Sequence, residues 1–278
     1  MKSFSASDGS TINYRIIGKG KPIVFVHGWG VDHKIWFNKI ESINGKWKKN
    51  HQRVYFDLPG MGASVGSKKI VDSDDMQKCI EEFLSAVVAS KHYLLAGESY
   101  GGYLSRGLLI DHMEDIDGLF LLCPLIIPGY RQGKVAPRVV LEKDELFLEK
   151  LSPEERASFD YLSVVETPDT WKDFKKEIDI SIIPQNKGFL EKQLDGSFSK
   201  DINAIAVQYD KPALILAGKQ DSEVGYEDQF NLYKDFKRAS IIILDKAGHN
   251  LQIDRKALFE ASFLDWIERI ETYENCEA

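Results

Sequence analysis

Cysteine is scarce. The chain has three, Cys79, Cys123 and Cys276, in 278 residues. They lie far apart and lack the paired spacing of metal-binding cysteines, so neither a disulfide framework nor a cysteine-held metal is expected. Reduced thiols in a cytoplasmic protein are the expectation. No apolar run approaches the roughly 18 residues that a membrane-spanning helix needs. The opening Met1-Lys2-Ser3-Phe4-Ser5 lacks the apolar centre of a signal peptide. Excess positive charge is missing too: 36 Lys and Arg against 43 Asp and Glu leave a net charge of −7. A nucleic-acid or acidic-membrane partner needs a basic face, so neither partner is expected. What is present is a composition that folds, 43% apolar and 28% charged, in a length that suits one α/β domain with an insertion.

The stretch that organises the chain is Gly97-Glu98-Ser99-Tyr100-Gly101-Gly102. It follows the apolar run Tyr93–Ala96 and precedes a helix-like segment from Tyr103 to His112. Strand, Gly-x-Ser-x-Gly, helix is the setting that forces a serine onto a sharp turn above a sheet edge. The glycines remove side chains that would collide where strand and helix press together. Taken alone the pattern is weak, since about one chain in ten of this length holds it by chance. Its plain reading is a tight turn with a solvated serine.

A second loop strengthens it. Ile23–Val26 is continuously apolar, as in a strand buried on both faces, and it ends at His27-Gly28-Trp29-Gly30. Acyl transfer needs two N–H groups aimed at one oxygen, and glycine lets the backbone come close to a substrate. The backbone N–H groups of Trp29 and Tyr100 are assigned as these donors. The side chain of His27 is read as a structural hydrogen-bond partner rather than a catalyst. A metal site from His27, Asp32 and His33 is not favoured, because no matching ligands follow.

Upstream, Ser3–Ser7 and Ile12–Ile17 flank Asp8-Gly9-Ser10, a hairpin signal. Ile35–Ile40 predicts a short helix and Arg53–Phe56 a strand. Asp57-Leu58-Pro59-Gly60-Met61-Gly62-Ala63-Ser64 must be a turning loop, with Asp57 organising it. Ser73 is read as the cap of a helix carrying Met76, Ile80, Phe83, Leu84 and Val87 at helical spacing.

These stretches, with Gly218-Lys219-Gln220-Asp221 and Ala247-Gly248-His249 near the other end, resemble the α/β-hydrolase superfamily, in the esterase-like branch with an inserted cap. Met61 stands where many relatives carry histidine, at a position without a catalytic role. The resemblance implies a mostly parallel central sheet flanked by helices. The core is expected at residues 1–125 and 208–278, with a helical cap at 126–207 lying over Ser99. That middle segment is rich in charge and broken by prolines at 128, 137, 153, 168 and 184. Ser152-Pro153-Glu154-Glu155 and Thr167-Pro168-Asp169-Thr170 read as helix starts within it.

Asp221 and His249 each lie just past an apolar strand-like run, Ala213–Ala217 and Ile241–Leu244. That is the edge where parallel α/β sheets build their sites. The order Ser99, Asp221, His249 is the family's order for nucleophile, acid and base. His249 is expected to activate Ser99, and Asp221 to fix the imidazole tautomer, in preference to Asp57 or Asp245. No metal or organic cofactor is required. Leu258–Ile270 predicts a closing core helix, with Trp266 packed inside. The expected activity is that of a carboxylesterase-like serine hydrolase acting on a small acyl substrate. A proline-iminopeptidase-like aminopeptidase, a carbon–carbon bond hydrolase and a low-turnover ligand-binding protein of the same fold stand as alternatives. The sequence assigns neither the substrate nor an oligomeric state.

Overall fold

The computed structural model describes residues 1–129, 132–178 and 187–277. Pro184 and the side chain of Cys276, both cited above, lie outside the described residues. In chain order the elements are β1 (Lys2–Ser5), β2 (Thr11–Ile17), β3 (Lys21–Val26), α1 (Lys34–Ser42), α2 (Trp47–Asn50), β4 (His51–Phe56) and α3 (Ser73–Val87). Then come β5 (Tyr93–Glu98), α4 (Tyr100–His112), β6 (Ile116–Leu122), β7 (Glu142–Lys143), α5 (Glu145–Leu148), α6 (Pro153–Asp160), β8 (Val165–Glu166), α7 (Pro168–Glu177) and α8 (Lys187–Lys192). The chain closes with β9 (Ala213–Gly218), α9 (Glu227–Phe230), β10 (Ala239–Leu244), α10 (Leu251–Asp254) and α11 (Lys256–Glu277).

Eight strands form one sheet in the order β1-β2-β4-β3-β5-β6-β9-β10. From β4 to β10 neighbouring strands run parallel, while β2 is antiparallel to both β1 and β4. The expected mostly parallel sheet is therefore present, with the N-terminal hairpin as its antiparallel edge. Side-chain alternation divides the core into two layers. Val24, Val26, Leu95, Leu119 and Leu121 join the cluster that contains residues of α3 and α4. Ile23, Phe25, Leu94, Ala96 and Phe120 join the cluster that contains residues of α1 and α11, including the fully buried Trp266. Central strands buried on both faces explain why their sequences are continuously apolar. Among the described residues no helix is long and apolar enough to cross a membrane. Cys79 and Cys123 are both free and buried.

One cap differs from expectation. Asp72, not Ser73, caps α3, its carboxylate accepting the Asp75 N–H. Ser73 is the first helical residue, and its hydroxyl pairs with the Tyr100 hydroxyl at 2.9 Å. Two polar residues stand side by side at this helix start, and only the first has the extended backbone that capping requires.

Between β6 and β9 the chain builds α5 to α8 and a separate parallel pair, β7 with β8. Both helix starts read from proline and acid patterns form capping boxes, Ser152 with Glu155 and Thr167 with Thr170. This segment is tied to the rest of the protein on two sides. The buried Lys39 ammonium of α1 lies 3.1 Å from both Asp173 and Glu177 of α7. The Gln193 amide donates to the carbonyls of Ser67 and Ile70, in the loop before α3.

Candidate active site

Ser99 sits on the turn between β5 and α4 with φ 53° and ψ −119°, a conformation costly for a residue with a side chain. Surrounding contacts hold it there. The Ser99 N–H donates to Leu122 O, and Ser99 O accepts from the amides of Gly102, Tyr103 and Leu125. A Cβ at Gly97 would collide with the Gly101 carbonyl and the Ser105 hydroxyl, and one at Gly101 with the Val26 carbonyl. The two glycines are thus what allows α4 to start so close to β3 and β5.

His249 and Asp221 reach this serine from the far strands. His249 Nε2 lies 2.9 Å from Ser99 Oγ, and His249 Nδ1 lies 2.9 Å from Asp221 Oδ2. The other Asp221 oxygen, Oδ1, accepts the N–H groups of Glu223 and Val224. Burial would raise the Asp221 pKa, but His249 and these two amides hold it below the usual carboxylate range. For His249, burial acts to lower the pKa. The charge and hydrogen bond of Asp221, joined by Glu98 and Glu223, overcome it and raise the value to about 9. The negative partners decide the balance.

The loop after β3 faces the same place. The indole of Trp29 and the ring of Tyr100 meet edge to face, centroids 5.1 Å apart. The backbone N–H groups of Trp29 and Tyr100 have no acceptor among the described residues. Free amides on a loop and on the first residue of an adjoining helix are what a developing oxyanion requires. His27 points elsewhere: its Nε2 accepts the Leu58 N–H at 2.8 Å and its Nδ1 pairs with Gly28 O. Burial lowers its pKa, in keeping with a neutral ring in that role. Asp57 accepts from the His33 and Ala63 amides and pairs with His33 Nδ1 at 2.6 Å, so it ties the 57–64 loop to the start of α1. The polar cluster in this region is Asp32, His33 and Asp57, with His27 outside it.

Above Ser99 opens a cavity of about 570 Å³, lined by Trp29, Tyr100 and His249, by Leu125 and Val224, and by Tyr161, Leu162 and Leu194–Ser197 of the segment between β6 and β9. Its size suits a small organic molecule.

Three further residues stand at the site without a role assigned from the sequence. Glu98, buried at 3% exposure, places Oε1 3.6 Å from His249 Nε2. Asp254 accepts the Gly248 amide, next to His249, and the amides of Val164 and Val165. Cys123, at φ 40°, lies beneath Asp221 and His249 and donates to Gly248 O. Only Glu98 had a visible cue: an acid between a buried strand and a tight elbow has no solvent to face.

Residues 21–256 match the family described as the alpha/beta hydrolase fold. The chain belongs to that family. An alpha/beta superfamily hydrolase from Oenococcus oeni PSU-1 superposes with a TM-score of 0.85 at 25% identity, covering 98% of this chain and 100% of that one. The AB hydrolase superfamily protein YisY of Bacillus subtilis is 24% identical over 86% of this chain and 89% of its own length. The pimeloyl-[acyl-carrier protein] methyl ester esterase of Shewanella woodyi is 22% identical over 94% of this chain and 99% of its own length. These three are similar over most of their length, so the likeness is not confined to one motif.

Proposed function

We propose that this α/β-hydrolase cleaves a small carboxylic ester, or a related acyl substrate, through an acyl-enzyme intermediate on Ser99. The observation that carries the reading is the unbroken chain from Ser99 Oγ through His249 to Asp221, at 2.9 Å and 2.9 Å, opening onto the cavity. Serine is a poor nucleophile unless a base within hydrogen-bond reach takes its proton. His249 Nε2 takes it as Ser99 Oγ bonds to the acyl carbon. The charge that moves onto the carbonyl oxygen is met by the Trp29 and Tyr100 amides. His249 then returns the proton to the leaving alkoxide, which departs as the alcohol. Water repeats the sequence on the acyl-enzyme, losing a proton to His249 and releasing the acid and free Ser99. Asp221 holds the imidazole with its proton on Nδ1 and stabilises the imidazolium between the two transfers.

The segment 126–207 serves, in this reading, as a cap on a core formed by 1–125 and 208–278. Tyr161, Leu162 and Leu194 reach the cavity from it, which supports a role in shaping the substrate site and excluding water. Ester cleavage is placed first because two pimeloyl-[acyl-carrier protein] methyl ester esterases are similar over most of their length, while an (E)-2-((N-methylformamido)methylene)succinate hydrolase, similar over as much, keeps the other bond classes in the test.

Ser99→Ala tests the reading. Turnover should fall on the order of a million-fold with the fold intact. A fluorophosphonate should label Ser99 and no other serine in the wild-type protein. A panel of esters, aminoacyl amides and diketones then sorts the bond class. Wild-type turnover in Ser99→Ala would remove the assignment.

A further inference from the structure

Glu98 occupies the second position of the Gly-x-Ser-x-Gly elbow, and its carboxyl group is folded back into the protein. It lies against the turn after β3: a Cβ at Gly28 would collide with Glu98 Oε2 and come within 3.1 Å of Glu98 Cδ. The absence of a side chain at position 28 is therefore what makes room for the carboxyl group. Oε2 is buried without a well-formed hydrogen bond, though the Gly28 backbone N–H favours the charged carboxylate, and burial there is costly for a polar group where an apolar side chain could sit. Oε1 is 3.6 Å from His249 Nε2, the nitrogen that also faces Ser99 Oγ. The imidazole thus has a carboxyl group on each side, Asp221 at Nδ1 and Glu98 beside Nε2.

We propose that Glu98 is a positioning residue for the reaction at Ser99: its carboxylate, seated in the space left by Gly28, stabilises the His249 imidazolium formed when Ser99 gives up its proton. This rests on the Ser99–His249–Asp221 reading above. The geometry explains why a carboxyl group is kept where it lacks a full set of partners. Its attraction for Nε2–H is greatest once that nitrogen carries the transferred proton, so the contact strengthens as the transition state is approached. At 3.6 Å it does not compete with the shorter Ser99 contact in the resting state.

The groups facing Glu98 are His249 from the loop after β10, Asp221 from the loop after β9, the Cys123 thiol at the end of β6 and the Gly28 backbone. Burial raises the Glu98 pKa to about 7, with Asp221 adding to it and His249 and Gly28 opposing it. Glu98 is consequently ionised at the pH where His249 is a free base, and becomes neutral at lower pH.

Glu98→Gln keeps the shape and removes the charge. With a neutral ester, the high-pH plateau of kcat should fall about tenfold, while KM stays within about threefold, because Glu98 does not line the cavity. The acid limb of kcat/KM should move down by about one pH unit, since a nearby carboxylate that raises the His249 pKa is gone. A residue that only packs would lower kcat without moving the limb. An unchanged kcat plateau or an unmoved limb overturns the proposal. Should Glu98→Gln not fold, Glu98→Met, which puts an apolar chain in the same space, is read for the same two changes, a plateau lower by about tenfold and a limb lower by about one pH unit. An unchanged plateau or an unmoved limb in that variant overturns the proposal. Ser99→Ala is assayed in parallel. Turnover retained there removes the triad reading itself, whereas an inactive Ser99→Ala beside an unaffected Glu98→Gln removes only the role of Glu98.

Discussion

Gln220 donates its side-chain amide to Asp245 Oδ1 at 2.8 Å, on the exposed side of the loop whose next residue, Asp221, turns inward to His249. That bond engages Asp245, an acid close to His249 in the chain, away from the imidazole. Asp245 is held outward by Gln220, while Asp221 is completely buried with its oxygens committed to His249 and two amides. Asp221→Asn should therefore lower turnover about 10⁴-fold by favouring the wrong imidazole tautomer, and Asp245→Asn should cost little. Steady-state kinetics on a neutral ester measures both. Equal losses in the two variants would contradict the division of roles.

The raised His249 pKa sets the direction of the pH profile. Its protonated form is favoured up to about pH 9, and only the neutral ring can accept the Ser99 proton. Activity should rise with pH through an acid limb well above the value of about 6.5 of free imidazole. In Asp221→Asn the limb should fall, because the largest of the raising influences is removed. Measurement of kcat/KM on a substrate that does not itself ionise between pH 5 and pH 10 checks this. A wild-type limb at or below that of free imidazole would count against it.

Asp254 joins the His249 loop to the segment between β6 and β9. Its Oδ2 accepts the Gly248 N–H at 2.9 Å, and its Oδ1 accepts the Val165 N–H at 3.2 Å. Asp254→Ala leaves these amides without their acceptor, which should cost about 1–3 kcal/mol in urea unfolding. Freed from its anchor, the His249 loop should also lose up to about a hundredfold in kcat, the order expected for a small misplacement of a reacting group. Asp254→Asn keeps one carbonyl acceptor and should fall between. A kcat within twofold of wild type in Asp254→Ala would show that the loop holds itself.

What the sequence carries and what it hides follow from the range of each interaction. Chain order and strand ends are local, so the elbow at Ser99 and the loops bearing Asp221 and His249 were legible as separate pieces. The continuous apolar runs of β3, β5 and β9 announced burial on both faces. Glu98 was not legible as a neighbour of His249, because the contact spans 151 positions and depends on the missing side chain at Gly28. Asp254 bonds backbone amides, and these have no sequence identity to read. The β7–β8 pair is two residues long on each side, too short for a period-two pattern. At the start of α3, Asp72 and Ser73 are both good capping types, and only backbone geometry separates them.

Lys39 offers a test of how the segment between β6 and β9 is held. Its ammonium is 1% exposed and lies between Asp173 and Glu177 of α7; Asp173 also pairs with Lys256 at 3.3 Å. Lys39→Met keeps the apolar stem and removes the charge. Asp173 retains Lys256, while Glu177 loses the charge of Lys39 and keeps the Gln252 side chain. Breaking a buried pair on one side costs about 3–5 kcal/mol where the remaining group stays ionised. Glu177 has another course open to it. Burial already raises its pKa to about 7, and losing Lys39 must raise it further. Because the folded-state pKa exceeds that of the unfolded chain, the group favours the folded state when protonated and works against it as pH rises through the folded value. The stability deficit of Lys39→Met should therefore be small at pH 5.5 and several-fold larger at pH 8, measured by urea unfolding of both proteins at each pH. If α7 loosens as well, KM for a neutral ester should rise more than kcat falls, since the segment that carries α7 also lines the cavity while Ser99, Asp221 and His249 do not belong to that segment. The same deficit at both pH values would mean that Glu177 is not the group left exposed to the loss.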